Sequence, residues 1–281
     1  MSVRIIVDST VDMAPGLEAK VRVVPLTIHF GEQEYVSGVD IDSRRFYEML
    51  VESDILPTTS QPAPFAFTQV FDEAVNAGDS VVCVTIASKL SGTFQSASIA
   101  AQAYPGKVFV VDSQTAAIGS GILAQYALEL ADRGMRAEEI ALKLTAKREK
   151  VRLLAMVDSL EYLKKGGRIS SAVAFAGGLL NIKPVITVTD GEVKMLGKAR
   201  GSKQANNLLV QEIQKAGGVD FGKPLLLGYT GLSDAMLRKY ITDSAPLWEG
   251  SRDTLPRTIV GSVVGTHVGP GAVAVAFFAA E

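Results

Sequence analysis

Cysteine, histidine and net charge are all scarce in this chain. Its one cysteine, Cys83, stands inside the apolar run Val81 to Ile86. A single thiol cannot close an intrachain disulfide, so a buried structural role in a reducing cytoplasm is expected. Two histidines, His29 and His267, together with that cysteine offer no ligand spacing for zinc. Lys and Arg number 28 against 30 Asp and Glu, a net charge of −2. Neutralising phosphates needs a basic excess, so nucleic acid is not expected as the main partner. Walker A and Gly-x-Gly-x-x-Gly patterns are absent, and no nucleotide cofactor is signalled. No apolar run approaches the ~20 residues of a membrane span, and the opening "MSVRIIVDST" lacks the long apolar core of a signal peptide. An integral membrane protein is therefore not expected. No Gly/Ser-rich or Pro-rich linker interrupts the chain, so any two domains should be closely joined.

What is present is apolar. At 281 residues and 47% hydrophobic composition, the chain can bury the core of two domains or of one large α/β unit. Three stretches share one grammar: Arg4–Val7 running into Asp8-Ser9-Thr10, Val81–Ile86 running into "ASKLSGTFQSA", and Val108–Val111 running into Asp112-Ser113-Gln114-Thr115. Each is a short β-branched run ending in small polar residues, as expected of strands covered on both faces. Helical patterns follow the second and third, over 94–104 and 121–133. Strand, loop and helix in repetition imply a parallel sheet with right-handed crossovers, whose ligands sit beyond the carboxyl ends of the strands.

The second half reads differently. A helical start breaks at Gly166-Gly167 and resumes with Ser170 or Ser171 as N-cap. "VITVTDGEVKML" predicts a hairpin around Asp190-Gly191, followed by a helix over 202–216, a strand over 224–229 and a helix over 233–244. "RTIVGSVVGTHVGPGAVAVAFFA" predicts two β-runs joined by a Gly-rich turn. The expectation is an α/β fold of two domains: an N-terminal parallel-sheet α/β domain over 1–160 and a C-terminal α+β domain over 161–281.

The quoted loop carries four hydroxyls within residues 88–97: Ser88, Ser91, Thr93 and Ser96. Gly92 permits close backbone approach, and Thr93 stands at or near a helix N-terminus, where free N–H groups favour an anion; a plain N-cap explains the spacing equally well. "PTTSQPAP" places Thr58, Thr59 and Ser60 between stiffening prolines, and in isolation it is a surface turn. A nucleophile needs a base in hydrogen-bond reach. A serine hydrolase acting on acyl esters, with Ser91 as nucleophile and His267 as base, would need a third group such as Asp8 or Asp112, and no Gly-x-Ser-x-Gly elbow surrounds Ser91. Clustered hydroxyls suit binding better than reaction. His29 is assigned no role. Two basic clusters, Lys164-Lys165-Arg168 and Lys198-Arg200-Lys203, are ordinarily solvated surface, or else a positive face for a phosphate or an acidic partner. The apolar "AVAFAGGLLNI" is a candidate tunnel wall, or an ordinary buried helix.

Taken in order, "DSTVD", "TSQP", "SGTFQSA", "LKKGGRIS", "NIKP", "KARGSKQA" and "GTHVGPGA" resemble the DegV family, and most closely the fatty-acid-binding subunits of the bacterial fatty acid kinase. The matches run from residue 8 to about 272. Gln204 stands where many relatives carry a lysine. The resemblance implies a non-catalytic lipid-binding subunit with a long-chain fatty acid buried between two domains and no cofactor. It implies that Thr59, Ser91 and His267 hold the carboxylate, with Ser60, Gly92 and Thr93 in the same loops. It further implies that Arg168 and Arg200 face a Dak-type kinase subunit, which supplies ATP and converts the acid to acyl phosphate for phospholipid synthesis.

Overall fold

The computed structural model of the chain describes residues 2–170, 181–248 and 250–280. In chain order its strands are β1 (Val3–Asp8), β2 (Arg22–Val24), β3 (Thr27–Phe30), β4 (Gln33–Val36), β5 (Thr58–Ser60), β6 (Ser80–Thr85), β7 (Val108–Asp112), β8 (Val151–Met156), β9 (Ile182–Thr189), β10 (Glu192–Arg200), β11 (Leu226–Tyr229), β12 (Arg257–Ile259) and β13 (Val273–Phe278). The helices are α1 (Ser43–Glu52), α2 (Pro64–Asn76), α3 (Thr93–Ala101), α4 (Ala117–Asp132), α5 (Ala137–Lys147), α6 (Glu161–Lys165), α7 (Gly201–Lys215), α8 (Ala235–Asp243) and α9 (Ser262–Val268).

The three β-branched runs are β1, β6 and β7, and they pair in parallel within a four-stranded sheet of order β2-β1-β6-β7. Cys83 is fully buried in β6 beneath α2 and α3, and its burial pushes the thiol well above its ordinary pKa. The parallel register brings the three polar strand ends to one edge, as the repeated grammar requires.

The second sheet is mixed, with order β10-β9-β8-β13-β11-β12. Its β8, on the N-terminal side of residue 160, pairs antiparallel with both β9 and β13. The expected hairpin is β9–β10, turning at Asp190 and Gly191, both at positive φ. Its tip reaches the first sheet: the Gly191 N–H donates to the Gln114 carbonyl at 3.1 Å, and Lys89 pairs with Glu192 at 3.4 Å.

One face of this sheet packs on α7 and α8 through Leu154, Val275, Leu209 and Trp248. The other packs on α4, which also lies against β1 and β6. Helix α4 is thus wedged between the two sheets, which explains its apolar circumference and its buried small residues Gly119, Ser120 and Gly121.

Two expectations need correction. The closing segment is not two strands and a turn, because α9 intervenes between β12 and β13 and carries His267 in its last turn. The "PTTSQPAP" stretch is not only a turn: Thr58–Ser60 form β5, which pairs antiparallel with β3 in a small sheet of order β4-β3-β5. The expected tunnel-wall segment and the helix restart at Ser171 fall, up to Leu180, outside the described residues.

Candidate functional site

A cavity lies between the strand-end loops of the first sheet and the α4-facing side of the second. Its walls are mostly aliphatic: Leu153 and Ala155 from β8, Ile186 and Val188 from β9, Ala274 from β13, and Val263 from α9. Thr59, Ser91, Arg168 and His267 all line it.

Helix α9 presents His267 because it packs on α1 and α6 and against β3 and β5. Its start is tied down where the Gly261 N–H donates to Asp12 Oδ1 at 2.8 Å; burial lifts the Asp12 carboxyl to about 8, an effect that this N–H opposes. His267 Nε2 lies 2.9 Å from Thr59 Oγ1, while Nδ1 is buried without a partner. Burial lowers the imidazole to about 4, and the Arg168 guanidinium pushes in the same direction, so the ring is neutral at pH 7. An N–H is the costlier group to bury unpaired, so the ring proton belongs on Nε2. There it donates to Thr59 and leaves the threonine hydroxyl hydrogen for another acceptor. Gly166 is required here: a Cβ at that position would come within 2.3 Å of His267 Nδ1.

Arg168 Nη1 donates to the Gly166 carbonyl at 2.5 Å and its Nε to the Leu90 carbonyl at 3.2 Å. This ties the His267 end of the cavity to the loop carrying Ser91. Ser91 Oγ accepts from the Thr93 N–H at 3.3 Å and pairs with Thr93 Oγ1 at 2.8 Å. Thr93 is fully buried in the first turn of α3 and supports Ser91 from behind. Gly92 admits Gln61: a Cβ there would stand 2.0 Å from Gln61 Oε1, and the Gln61 amide donates to Ser96 Oγ at 3.1 Å.

Of the residues expected to bind the ligand, Ser60, Gly92 and Thr93 do not line the cavity. Ser60 follows Thr59 on an extended strand, so its side chain takes the opposite face. It is exposed, and its Oγ lies 2.7 Å from His29 Nε2. Arg200, expected on a partner-facing surface, is exposed at the end of β10, whereas Arg168, expected beside it, lines the cavity. Thr10, Thr187, Tyr229 and Thr230 also line the cavity and were not expected to. Thr10 and Thr230 each stand just past a strand end, the same signal that marked the Ser91 loop.

No hydrolytic triad is assembled among the described residues. Ser91 pairs with Thr93, and His267 pairs with Thr59. Asp8 is engaged by Thr10 and Ile86, and Asp112 by Ser88 and Gln114. No group of three or more His, Cys, Asp or Glu among the described residues could hold a metal ion.

A family model described as "Uncharacterised protein, DegV family" matches residues 2–280. The chain belongs to the DegV family. A DegV domain-containing protein of Caldanaerobacter subterraneus subsp. tengcongensis is 34% identical over 280 residues, 98% of each chain. Among solved structures, this DegV chain is similar to a DegV family protein from Thermus thermophilus described for its fatty acid binding. That likeness has a TM-score of 0.86 and 34% identity, and it covers 99% of this chain and 100% of the other. It is also similar to a stearic acid-binding protein from Eubacterium ventriosum, with a TM-score of 0.84 and 28% identity, covering 98% of this chain and 97% of that one. No helix among the described residues is long and apolar enough to cross a membrane.

Proposed function

We propose that this DegV-family chain binds a long-chain fatty acid, its carboxylate held by Thr59, Ser91 and His267 and its tail in the aliphatic cavity. One observation carries the reading: a single cavity joins an aliphatic wall to the neutral hydrogen-bonding groups of Thr59, Ser91 and His267, with Arg168 bonded to the neighbouring Leu90 and Gly166 carbonyls. A hexadecanoyl-sized tail buries roughly 15 carbons at ~0.8 kcal/mol each, on the order of 12 kcal/mol gross. Ordering and immobilising the ligand cost roughly 4–15 kcal/mol. The tail therefore drives affinity, and the hydroxyls orient the head and satisfy a buried anion. Binding of fatty acids by the similar structures from T. thermophilus and E. ventriosum supports the same reading.

The proposal extends to use of the acid. A carboxylate held by neutral hydroxyls, without a bidentate arginine clamp, stays free to attack a phosphoryl group. The chain would present it to a Dak-type kinase subunit, which transfers the γ-phosphoryl of ATP to the carboxylate oxygen and releases ADP and the acyl phosphate. The exposed Arg200 would belong to that docking face, with Arg168 at the cavity beside it in function.

Organic extraction of the purified protein followed by mass spectrometry is expected to release a long-chain acid. A ligand-free extract from a protein that also refuses added fatty acid would overturn the reading. Ser91→Ala should weaken acid binding about tenfold, the equivalent of one charge-assisted hydrogen bond. Arg200→Ala should leave binding unchanged and slow acyl phosphate formation by the kinase; loss of lipid binding in that variant would break the division of labour.

A further inference from the structure

The loop that carries Ser91 is braced from both sides by aspartates that never reach the cavity. On the β1 side, Asp8 Oδ2 accepts from the Ile86 N–H at 2.8 Å, while Oδ1 accepts from the Thr10 N–H at 2.8 Å and from the Thr10 hydroxyl. On the β7 side, Asp112 Oδ1 accepts from the Ser88 N–H at 3.2 Å and the Gln114 N–H at 2.9 Å, and Oδ2 accepts from the Ser88 hydroxyl at 2.6 Å. The residue between the two braces is Ala87, whose carbonyl accepts from the N–H groups of Leu90 at 2.9 Å and Ser91 at 3.2 Å. Fixing residues 86 and 88 therefore fixes the carbonyl on which the Ser91 turn is built.

Resting on the fatty-acid reading above, we propose that Asp8 and Asp112 are positioning residues that hold the Ser91 loop in register with Thr59 and His267. They act through the loop, since neither carboxylate lines the cavity. The two are not chemically equivalent. Both N–H donors to Asp112 use a single oxygen, and the second oxygen faces a hydroxyl, which can donate or accept. An asparagine there keeps both N–H bonds on its carbonyl and can donate its amide to Ser88 Oγ. Asp8 has an N–H donor on each oxygen, so an asparagine must turn its amide against one of them. Asp112→Asn should be silent and Asp8→Asn should not.

The test compares full-length variants for binding of hexadecanoic acid and of hexadecanol, a ligand with the same tail and no charge. Asp112→Ala is expected to weaken the acid about tenfold, roughly one charge-assisted hydrogen bond's worth of head-group placement, with hexadecanol unchanged. Asp112→Asn is expected to restore the acid to within twofold of the parent, and Asp8→Asn to weaken it as Asp112→Ala does. Equal losses for acid and alcohol in Asp112→Ala would reduce the brace to general stability and overturn the proposal. So would unchanged acid binding in Asp112→Ala, or an Asp112→Asn as damaging as Asp112→Ala. Should Asp8→Asn fail to fold, the Asp112 pair decides alone. Failure of the parent protein to bind the acid would instead sink the underlying fatty-acid reading.

Discussion

The two sheets serve the cavity in opposite ways. The parallel sheet contributes mainly its ends: Thr10 after β1 and the Ser91 loop after β6 reach the cavity from irregular backbone. The mixed sheet contributes faces: Leu153, Ala155, Ile186, Val188 and Ala274 are strand residues presented as a wall. Loops can aim a single hydroxyl because their backbone follows no repeat. A strand repeats every two residues and so builds area. On the proposed reading the strand faces would take the tail, while the head would be held by Ser91 from a loop of the parallel sheet together with Thr59 of β5 and His267 of α9.

The sharpest way to break this comparison is to fill the wall. Ala155→Phe in β8 should cut affinity for an eighteen-carbon acid about a hundredfold or more, since each excluded methylene forfeits ~0.8 kcal/mol, and should spare shorter acids in proportion. Titration calorimetry across a chain-length series would show it; a uniform loss at every length would argue that β8 does not bound the tail.

A smaller effect is expected at the polar end, from strand neighbours that face opposite ways. Thr59→Ala should weaken the acid about tenfold, while Ser60→Ala should change it less than about twofold. Equal effects would mean that β5 does not place the two side chains on opposite faces.

A separate effect concerns pH. Because burial lowers His267 from 6.5 to about 4 in the native state, the folded protein binds fewer protons than the unfolded chain between those values. Stability from this residue is present above about 6.5 and is lost as pH falls toward 4. Chemical denaturation at pH 7 and 4.5 should show a drop in the parent that shrinks in His267→Gln.

Much of the first sheet is legible in the sequence. Continuous β-branched runs such as Val81–Ile86 occur where a strand is covered on both faces, and their polar endings marked the Ser91 loop. Helix α9 was not legible: "SVVGTHVG" is rich in β-branched residues and glycine, both poor helix formers, and tertiary packing overrides that preference. Ser60 was misplaced because its facing depends on β5 being extended, and three residues between prolines carry no visible alternation. The wall was legible only in part. Ala155 and Ala274 are as common in helices and cores as in cavities, and only the pairing of β8 with β13 puts them side by side.

Helix α4 has a mechanical consequence. Buried against β1 and β6 on one side and against β8, β11 and β13 on the other, it leaves neither half with a complete interior of its own. Separating the halves would expose one apolar side of this helix to water, so the protein should melt in a single transition, and either half expressed by itself should collapse without a fixed shape.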